Sequence, residues 1–217
     1  YDIDLAKAIS ATLGLKADFQ SADYPSIIPS LGSKFDIGNG SFTITEKRLQ
    51  SVNFVSYFSA GTAWAVQKGN PKKFSVDDVC GKSVGVQTGT IQETTDLKVR
   101  NDKCLAENKS PIDIISLKTQ RAITPGLVNE STDAMAADSP VTGYAIQQTN
   151  GTLEKSGDIY DAAPAGFAFS KGDSVLPDLV QKALTKLMAD GTYKSILEQW
   201  NVADGVISKA EVNPAVS

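Results

Sequence analysis

Three short polar segments carry side chains that could hold a charged ligand. They are GSFTITEKR (40–48), QTGT (87–90) and ADSP (137–140). Arg48 offers a planar guanidinium that matches a carboxylate, and Ser41 and Thr43 offer neutral donors beside it. Asp138 offers an acceptor for a cation. These groups together predict a site for a zwitterion, such as the α-carboxylate and α-ammonium groups of a free amino acid.

Each segment also has an ordinary structural interpretation. Thr45 could cap a helix that leaves Arg48 in solvent, and Asp138 could cap the helix after it. The glycine of QTGT could only supply an unusual backbone angle in a tight turn. The ligand hypothesis therefore depends on whether the elements bring these segments to one place.

The apolar pattern predicts strands and helices that alternate along the chain. Strands are predicted at 17–20, 35–40, 52–58, 61–69, 82–90, 112–117, 132–140 and 165–173. Helical segments are predicted at 2–13, 26–33, 75–81, 91–102, 119–131, 141–149, 174–191 and 192–202. Within 119–131, Pro125 leaves open whether the helix starts late or kinks. Alternation of this kind is typical of an α/β fold with mostly parallel sheets, in which ligands bind beyond the carboxyl ends of strands.

Composition excludes several functions. The net charge of −4 argues against a nucleic-acid partner, since phosphate binding leaves a basic footprint. The chain has no histidine, which excludes a histidine-dependent triad and argues against a zinc site. The sequence contains no run of eighteen apolar residues, so it predicts no membrane-spanning helix.

Cys80 and Cys104 are the only cysteines. Two buried free thiols are one interpretation. The charged neighbours in VDDVCGK and RNDKCLAEN favour a disulfide instead, and with it an oxidising, extracytoplasmic compartment.

Eight motifs, in order along nearly the whole chain, give it a specific resemblance. They are YDIDLAKAIS, SIIPSL, FTITEKR, FVSYF, GKSVGVQTGTIQE, TDAMAADSP, AGFAFSKGD and ADGTYKSILEQW, and a cysteine pair lies in VCGKSVGV and NDKCLAENK. The chain resembles the type 3 family of extracellular solute-binding proteins, the polar amino-acid receptors of ABC importers. The cysteine pair is similar to that of actinobacterial members, which also implies a disulfide.

The resemblance implies a two-lobed periplasmic-binding-protein fold whose lobes are joined by two hinge strands. Lobe 1 would comprise 1–60 and 166–217, and lobe 2 would comprise 61–165. The crossings would lie near 58–62 and 163–166. Family members carry a further strand and an aromatic-bearing loop before the segment that starts at Tyr1, and these contribute to lobe 1 and to the side-chain pocket.

The resemblance also assigns a role to each site residue. The implied ligand-binding set is Tyr24, Gly40, Ser41, Thr43, Arg48, Gln87, Thr90, Ile91 and Asp138. Arg48 and Thr43 would bind the ligand carboxylate, and Thr90 with its neighbour Ile91 would supply the lobe 2 amide and hydroxyl. Asp138 and a carbonyl of Gly40 or Ser41 would bind the ammonium, and the ring of Tyr24 would stack on the ligand. No catalytic residue, metal or cofactor is implied.

The ligand would be a polar free amino acid, and the neutral candidates Tyr24, Ser41, Gln87 and Gln92 favour glutamine. The other implied partner is the membrane permease of an ABC importer, and the protein would be a monomer. Its location would be extracytoplasmic, periplasmic or at the cell surface, with a lipid anchor before Tyr1. Two alternatives remain: a receptor's sensor domain, or a dehydratase using Glu46, Glu93 or Asp138 as its acid.

Overall fold

A computed structural model describes residues 1–216 of the chain. The helices are α1 (Asp2–Thr12), α2 (Tyr24–Ile27), α3 (Glu46–Leu49), α4 (Leu97–Ala106), α5 (Gln120–Val128), α6 (Ser139–Gln148), α7 (Val175–Ala189) and α8 (Thr192–Gln199). The strands are β1 (Ile37–Thr43), β2 (Val52–Gln67), β3 (Ser83–Gln87), β4 (Asp113–Leu117), β5 (Ala134–Asp138) and β6 (Leu153–Ser170). A π-helical turn (Gln92–Asp96) precedes α4, and 3₁₀ turns occupy Ile28–Ser30 and Ala203–Gly205.

The chain divides into two compact units. Unit 1 comprises residues 1–22, 26–60 and 163–216, and unit 2 comprises residues 23–25 and 61–162. The long strands β2 and β6 each continue from one unit into the other. The fold is mixed α/β, as the sequence predicts. The predicted lobes, as bodies that close on a ligand, stay a prediction.

Unit 1 packs three helices on an aromatic core. In it, β1 runs antiparallel to the end of β6, with Thr43 opposite Ala165 and a bulge between Gly38 and Phe42. The rings of Tyr57 and Phe167 stack with centroids 4.2 Å apart. Apolar residues from α1, α7 and α8 close this core: Leu5, Ile9, Val180, Leu184, Leu187 and Leu197. Burial of these faces stabilises the helices more than their intrinsic propensity does.

Unit 2 is built around the parallel strand β3. It pairs with β4 and with β5 in parallel, while β5 runs antiparallel to β2, with Thr62 opposite Asp138. Val84 and Val86 are fully buried, as expected of a strand that helices cover on both faces. This arrangement brings the ends of β3 and β5, where two of the polar segments lie, to the same edge.

Several sequence predictions need correction. The predicted strand at 17–20 is wrong: these residues are irregular and line a groove of about 950 Å³ within unit 1. A strand needs a hydrogen-bonded neighbour, which apolar alternation alone does not supply. The helical turn at 75–81 is wrong too, since Ser75 and Asp78 bridge across a tight turn.

The long strands also differ from prediction. The runs at 52–58 and 61–69 form one strand of 16 residues, β2. The sequence did not predict the first half of β6, where most side chains are exposed or half-buried. The pairs of β3 with β4 and with β5 are parallel, whereas those of β1 with β6 and of β2 with β5 are antiparallel, so the sheet is mixed.

The structure also bears on the predicted disulfide, on the helix that contains Pro125 and on membrane spans. Cys80 and Cys104 form the predicted disulfide, with Cα atoms 5.6 Å apart. Helix α5 begins at Gln120 and continues through Pro125. Within residues 1–216, none of the helices is both long and apolar enough to span a membrane.

Candidate functional site

Arg48 and Thr43 lie together at the end of β1. Thr45 caps α3 by accepting a hydrogen bond from the Arg48 backbone N–H at 3.2 Å, so the helix-cap interpretation is correct. The Arg48 side chain folds back, and its Nη1 donates to the Thr43 carbonyl at 2.8 Å. Its Cζ lies 5.7 Å from the centre of the Phe42 ring. The backbone and the ring therefore hold the guanidinium in one orientation at the strand end.

Ser41 belongs to a buried polar network in unit 1. Its Oγ donates to Asp2 Oδ2 at 3.0 Å, and its backbone N–H donates to the Tyr57 hydroxyl at 3.1 Å. Tyr57 in turn donates to Asp2 Oδ1 at 2.7 Å. Ser41 has a φ of 47°, a left-handed conformation that is costly for a residue with a side chain. The network thus uses the Ser41 hydroxyl internally and fixes the bulge beside Gly40.

Burial dominates the electrostatics of this network. Desolvation raises the pKa of Asp2, although the hydrogen bonds from Tyr57 and Ser41 oppose the shift. Burial also raises the pKa of Tyr57 well above its ordinary value, and the nearby Asp2 carboxylate adds to that effect. A buried carboxylate of this kind needs its donors in place.

The turn after β3 is held by its own side chains. Gly89 has a φ of 81°, and its N–H donates to Glu93 Oε2 at 2.6 Å. The other Glu93 oxygen accepts a hydrogen bond from Ser116. Thr90 Oγ1 donates to the Gln87 carbonyl at 2.8 Å, and the Thr90 N–H reaches the same carbonyl at 3.3 Å. Both Thr90 donors are therefore engaged within the turn, and Ile91 follows at the start of the π-helical turn.

Asp138 ends β5 and immediately precedes α6. Its side chain does not cap that helix, which removes the simplest structural explanation for the residue. Instead Asp138 Oδ1 accepts a hydrogen bond from Gln92 Nε2 at 2.8 Å. The same Gln92 nitrogen donates to Thr62 Oγ1 at 3.1 Å. The start of α6 is also a favourable place for a negative charge, because the helix dipole is positive there.

The remaining predicted residues lie on the same two units. Gln87 Nε2 donates to the Lys118 carbonyl at 3.0 Å. Tyr24 begins α2 and groups with unit 2, whereas the sequence placed it in lobe 1. Gly40 lies in the bulged part of β1.

The structure thus brings Thr43 and Arg48 together in unit 1, and brings Asp138 and Gln92 together in unit 2. Sequence reasoning missed Asp2, Tyr57 and Glu93 as supports, and it took Gln92 for a pocket residue. Gln92 is 1% exposed and bonded to Asp138. No local sequence signal marks it, because its partners come from β2 and β5.

Residues 1–203 match the bacterial extracellular solute-binding proteins, family 3. The chain belongs to this family. The match extends over both units, so it includes every residue of the candidate site.

Named relatives agree with this membership. The chain is 35% identical to the arginine-binding protein ArgT of Corynebacterium glutamicum, over 98% of this chain and 70% of that protein. It is similar to solved structures of an ancestral arginine-binding protein. With arginine bound, the TM-score is 0.82 at 37% identity, covering 92% of this chain and 86% of the other. With glutamine bound, it is 0.79 at 36% identity, covering 93% and 87%. An ancestral amino-acid-binding protein, the precursor of a cyclohexadienyl dehydratase, gives 0.76 at 33% identity, covering 92% and 84%.

Proposed function

We propose that this solute-binding protein captures a free amino acid outside the cytoplasm and delivers it to the permease of an ABC importer. Each unit supplies one half of the grip. Arg48 and Thr43 receive the carboxylate, and Asp138 receives the ammonium. A ligand bound to one half offers its remaining charged group to the other half. These extra contacts exist only in the loaded form and therefore favour it over the empty form.

The orientation of Arg48 carries this proposal. One guanidinium nitrogen donates to the Thr43 carbonyl, and the Phe42 ring lies beside the group. A guanidinium fixed in this way is prepared for bidentate recognition of a planar carboxylate, with little further loss of side-chain freedom. Membership in a family of solute-binding proteins supports this ligand-binding role for Arg48.

The site supports binding without chemistry. Glu93, one candidate acid of the alternative dehydratase, has one carboxylate oxygen on the Gly89 N–H and the other on the Ser116 hydroxyl. Glu46 is exposed at the start of α3. Asp138 is bonded to Gln92. The hydrogen bonds of Glu93 and Asp138 give these carboxylates supporting roles in a binding site.

The proposed ligand is an amino acid with a long polar side chain. The neutral residues Gln87 and Tyr24 favour glutamine, whereas the names of the relatives favour arginine. Both ligands share the α-carboxylate and α-ammonium on which the proposed grip acts. The Cys80–Cys104 disulfide supports an extracytoplasmic location. The predicted monomeric state and lipid anchor stay predictions.

The test is calorimetric titration of Arg48→Ala with glutamine and with arginine, beside the unchanged protein. We expect the variant to lose binding by at least about a hundredfold, because a charge-assisted bidentate pair is removed. Arg121→Ala removes an exposed arginine of α5 and serves as the matched control. Circular dichroism establishes that each variant is folded. Binding by folded Arg48→Ala within a few-fold of the unchanged protein would refute the proposal.

A further inference from the structure

Gln92 is an unusual residue to find in full burial. It is 1% exposed, although an amide side chain is costly to remove from water unless its donors are paired. The amide nitrogen has two partners: Thr62 Oγ1 at 3.1 Å and Asp138 Oδ1 at 2.8 Å. An ionised carboxylate can only accept, so the amide nitrogen must be the atom that faces Asp138.

The backbone places this amide in a specific way. Gln92 is the first residue of the π-helical turn Gln92–Asp96 that leads into α4. π-Helical turns inside helices are rare, and they concentrate at functional sites. Thr62 and Asp138 lie directly opposite each other on the paired strands β2 and β5, so the Gln92 amide binds one residue from each strand.

We infer that Gln92 is a positioning residue, whose side-chain amide fixes the Asp138 carboxylate in the orientation that receives the ligand's ammonium group. The inference rests on the proposed function and deepens it. A carboxylate at a strand end can rotate about its side-chain bonds. One donor anchored to the neighbouring strand removes that freedom before the ligand arrives, so less is lost on binding.

The experiment is a double-mutant cycle on ligand affinity, measured by calorimetry with glutamine and with arginine. Gln92→Met keeps the length of the side chain and removes both donors. We expect it to weaken binding about tenfold or more, as for the loss of a hydrogen bond to a charged group. In the Asp138→Ala background, which has no side-chain acceptor for Gln92, the same substitution should change the residual affinity by less than about twofold, because its effect acts through the carboxylate.

Two further variants separate positioning from packing. Gln92→Glu preserves the shape of the side chain and replaces the donor by an acceptor, so we expect a loss at least as large as that of Gln92→Met. Gln147→Met alters an exposed glutamine of α6 and should bind as the unchanged protein does. A merely structural role for Gln92 would weaken binding equally with and without the Asp138 carboxylate, and that result overturns the inference.

A second measurement needs no ligand. In the free protein, the side-chain amide resonances of Gln92 should shift in the Asp138→Ala variant, because the hydrogen bond between them is lost. Unchanged resonances overturn the inference whatever the affinities show. If Asp138→Asn itself leaves affinity unaltered, the ammonium site of the proposed function fails. If Asp138→Asn weakens binding and Gln92→Met does not, the function stands and the role of Gln92 fails.

Discussion

Asp2 and Asp4 are two aspartates of one helix with opposite environments. The Asp2 carboxylate accepts hydrogen bonds from Ser41 and Tyr57, and its desolvation raises the pKa of Asp2. Asp4 is half-buried, and the hydrogen bond from Trp200 lowers its pKa, with a further contribution from Lys7. The two aspartates of α1 are therefore expected to make stability depend on pH in opposite directions.

The first prediction concerns Asp2→Asn, which keeps the shape of the side chain and one of the two oxygens that accept hydrogen bonds from Tyr57 and Ser41. Because the folded-state pKa of Asp2 is raised, folding favours the protonated form, and the unchanged protein loses stability as pH rises above the ordinary value of 3.8. A neutral amide at position 2 removes that dependence on pH. We expect the unfolding free energy of the unchanged protein, relative to Asp2→Asn, to fall with rising pH in urea titrations from about pH 3 upward.

Asp4→Asn is the matched control for this experiment. Its folded-state pKa is lowered, so the charge contributes stability above 3.8 that is lost as pH falls through the folded pKa. The corresponding difference should rise with pH. Parallel profiles for the two variants would contradict the assignment of burial as the main influence on Asp2.

At the scale of elements, the disulfide ties the turn before β3 to the end of α4. Cys80 and Cys104 are 24 residues apart in sequence, and Cys104 is 1% exposed beside the unit 2 core. The bridge restricts the unfolded chain without requiring a change in the packed elements around it.

We predict that the double variant Cys80→Ser with Cys104→Ser lowers the free energy of unfolding by about 3.5 kcal/mol, as the loop-entropy estimate gives for a loop of this size. Denaturant titration with and without a reducing agent measures it. The reductant should destabilise the unchanged protein by a similar amount and leave the variant as it was. Equal stability of the oxidised protein and the variant would show that the bridge contributes nothing.

At the scale of the whole molecule, each of the two units has its own hydrophobic core, and ligand binding is expected to add to their stability. A ligand that binds the folded chain and not the unfolded chain stabilises it by mass action. At a hundred times the dissociation constant the gain is about 2.7 kcal/mol.

We therefore predict that one or a few amino acids raise the melting temperature by about 5–10 °C at that excess, the shift expected for a chain of this size. A thermal-shift screen of the twenty amino acids, with glutamine and arginine foremost, measures it and separates the two candidates. The α-amides and the deaminated analogues of the ligand that responds should give little shift, because each lacks one charged group of the zwitterion. A full response to either analogue would argue against the clamp.

Local chemistry alone determined a large part of this protein. The spacing of Leu5 and Ile9 predicts α1, Thr45 predicts the start of α3, and charged neighbours favour the Cys80–Cys104 bridge. The ordered motifs identified the family. Residue types at strand ends were enough to select Arg48, Thr43 and Asp138 as ligand-binding candidates, since guanidinium, hydroxyl and carboxylate groups have specific partners wherever they lie.

Only the tertiary structure decided which of these groups are already engaged. The Ser41 hydroxyl donates to the Asp2 carboxylate, and both Thr90 donors bind the Gln87 carbonyl. Gln92 meets Asp138 near the pairing of β2 with β5, and residues 17–20 are not a strand because no segment within residues 1–216 pairs with them. Hydrogen bonds and ladders join residues that are far apart in sequence, so a local pattern can name the groups but cannot assign their partners.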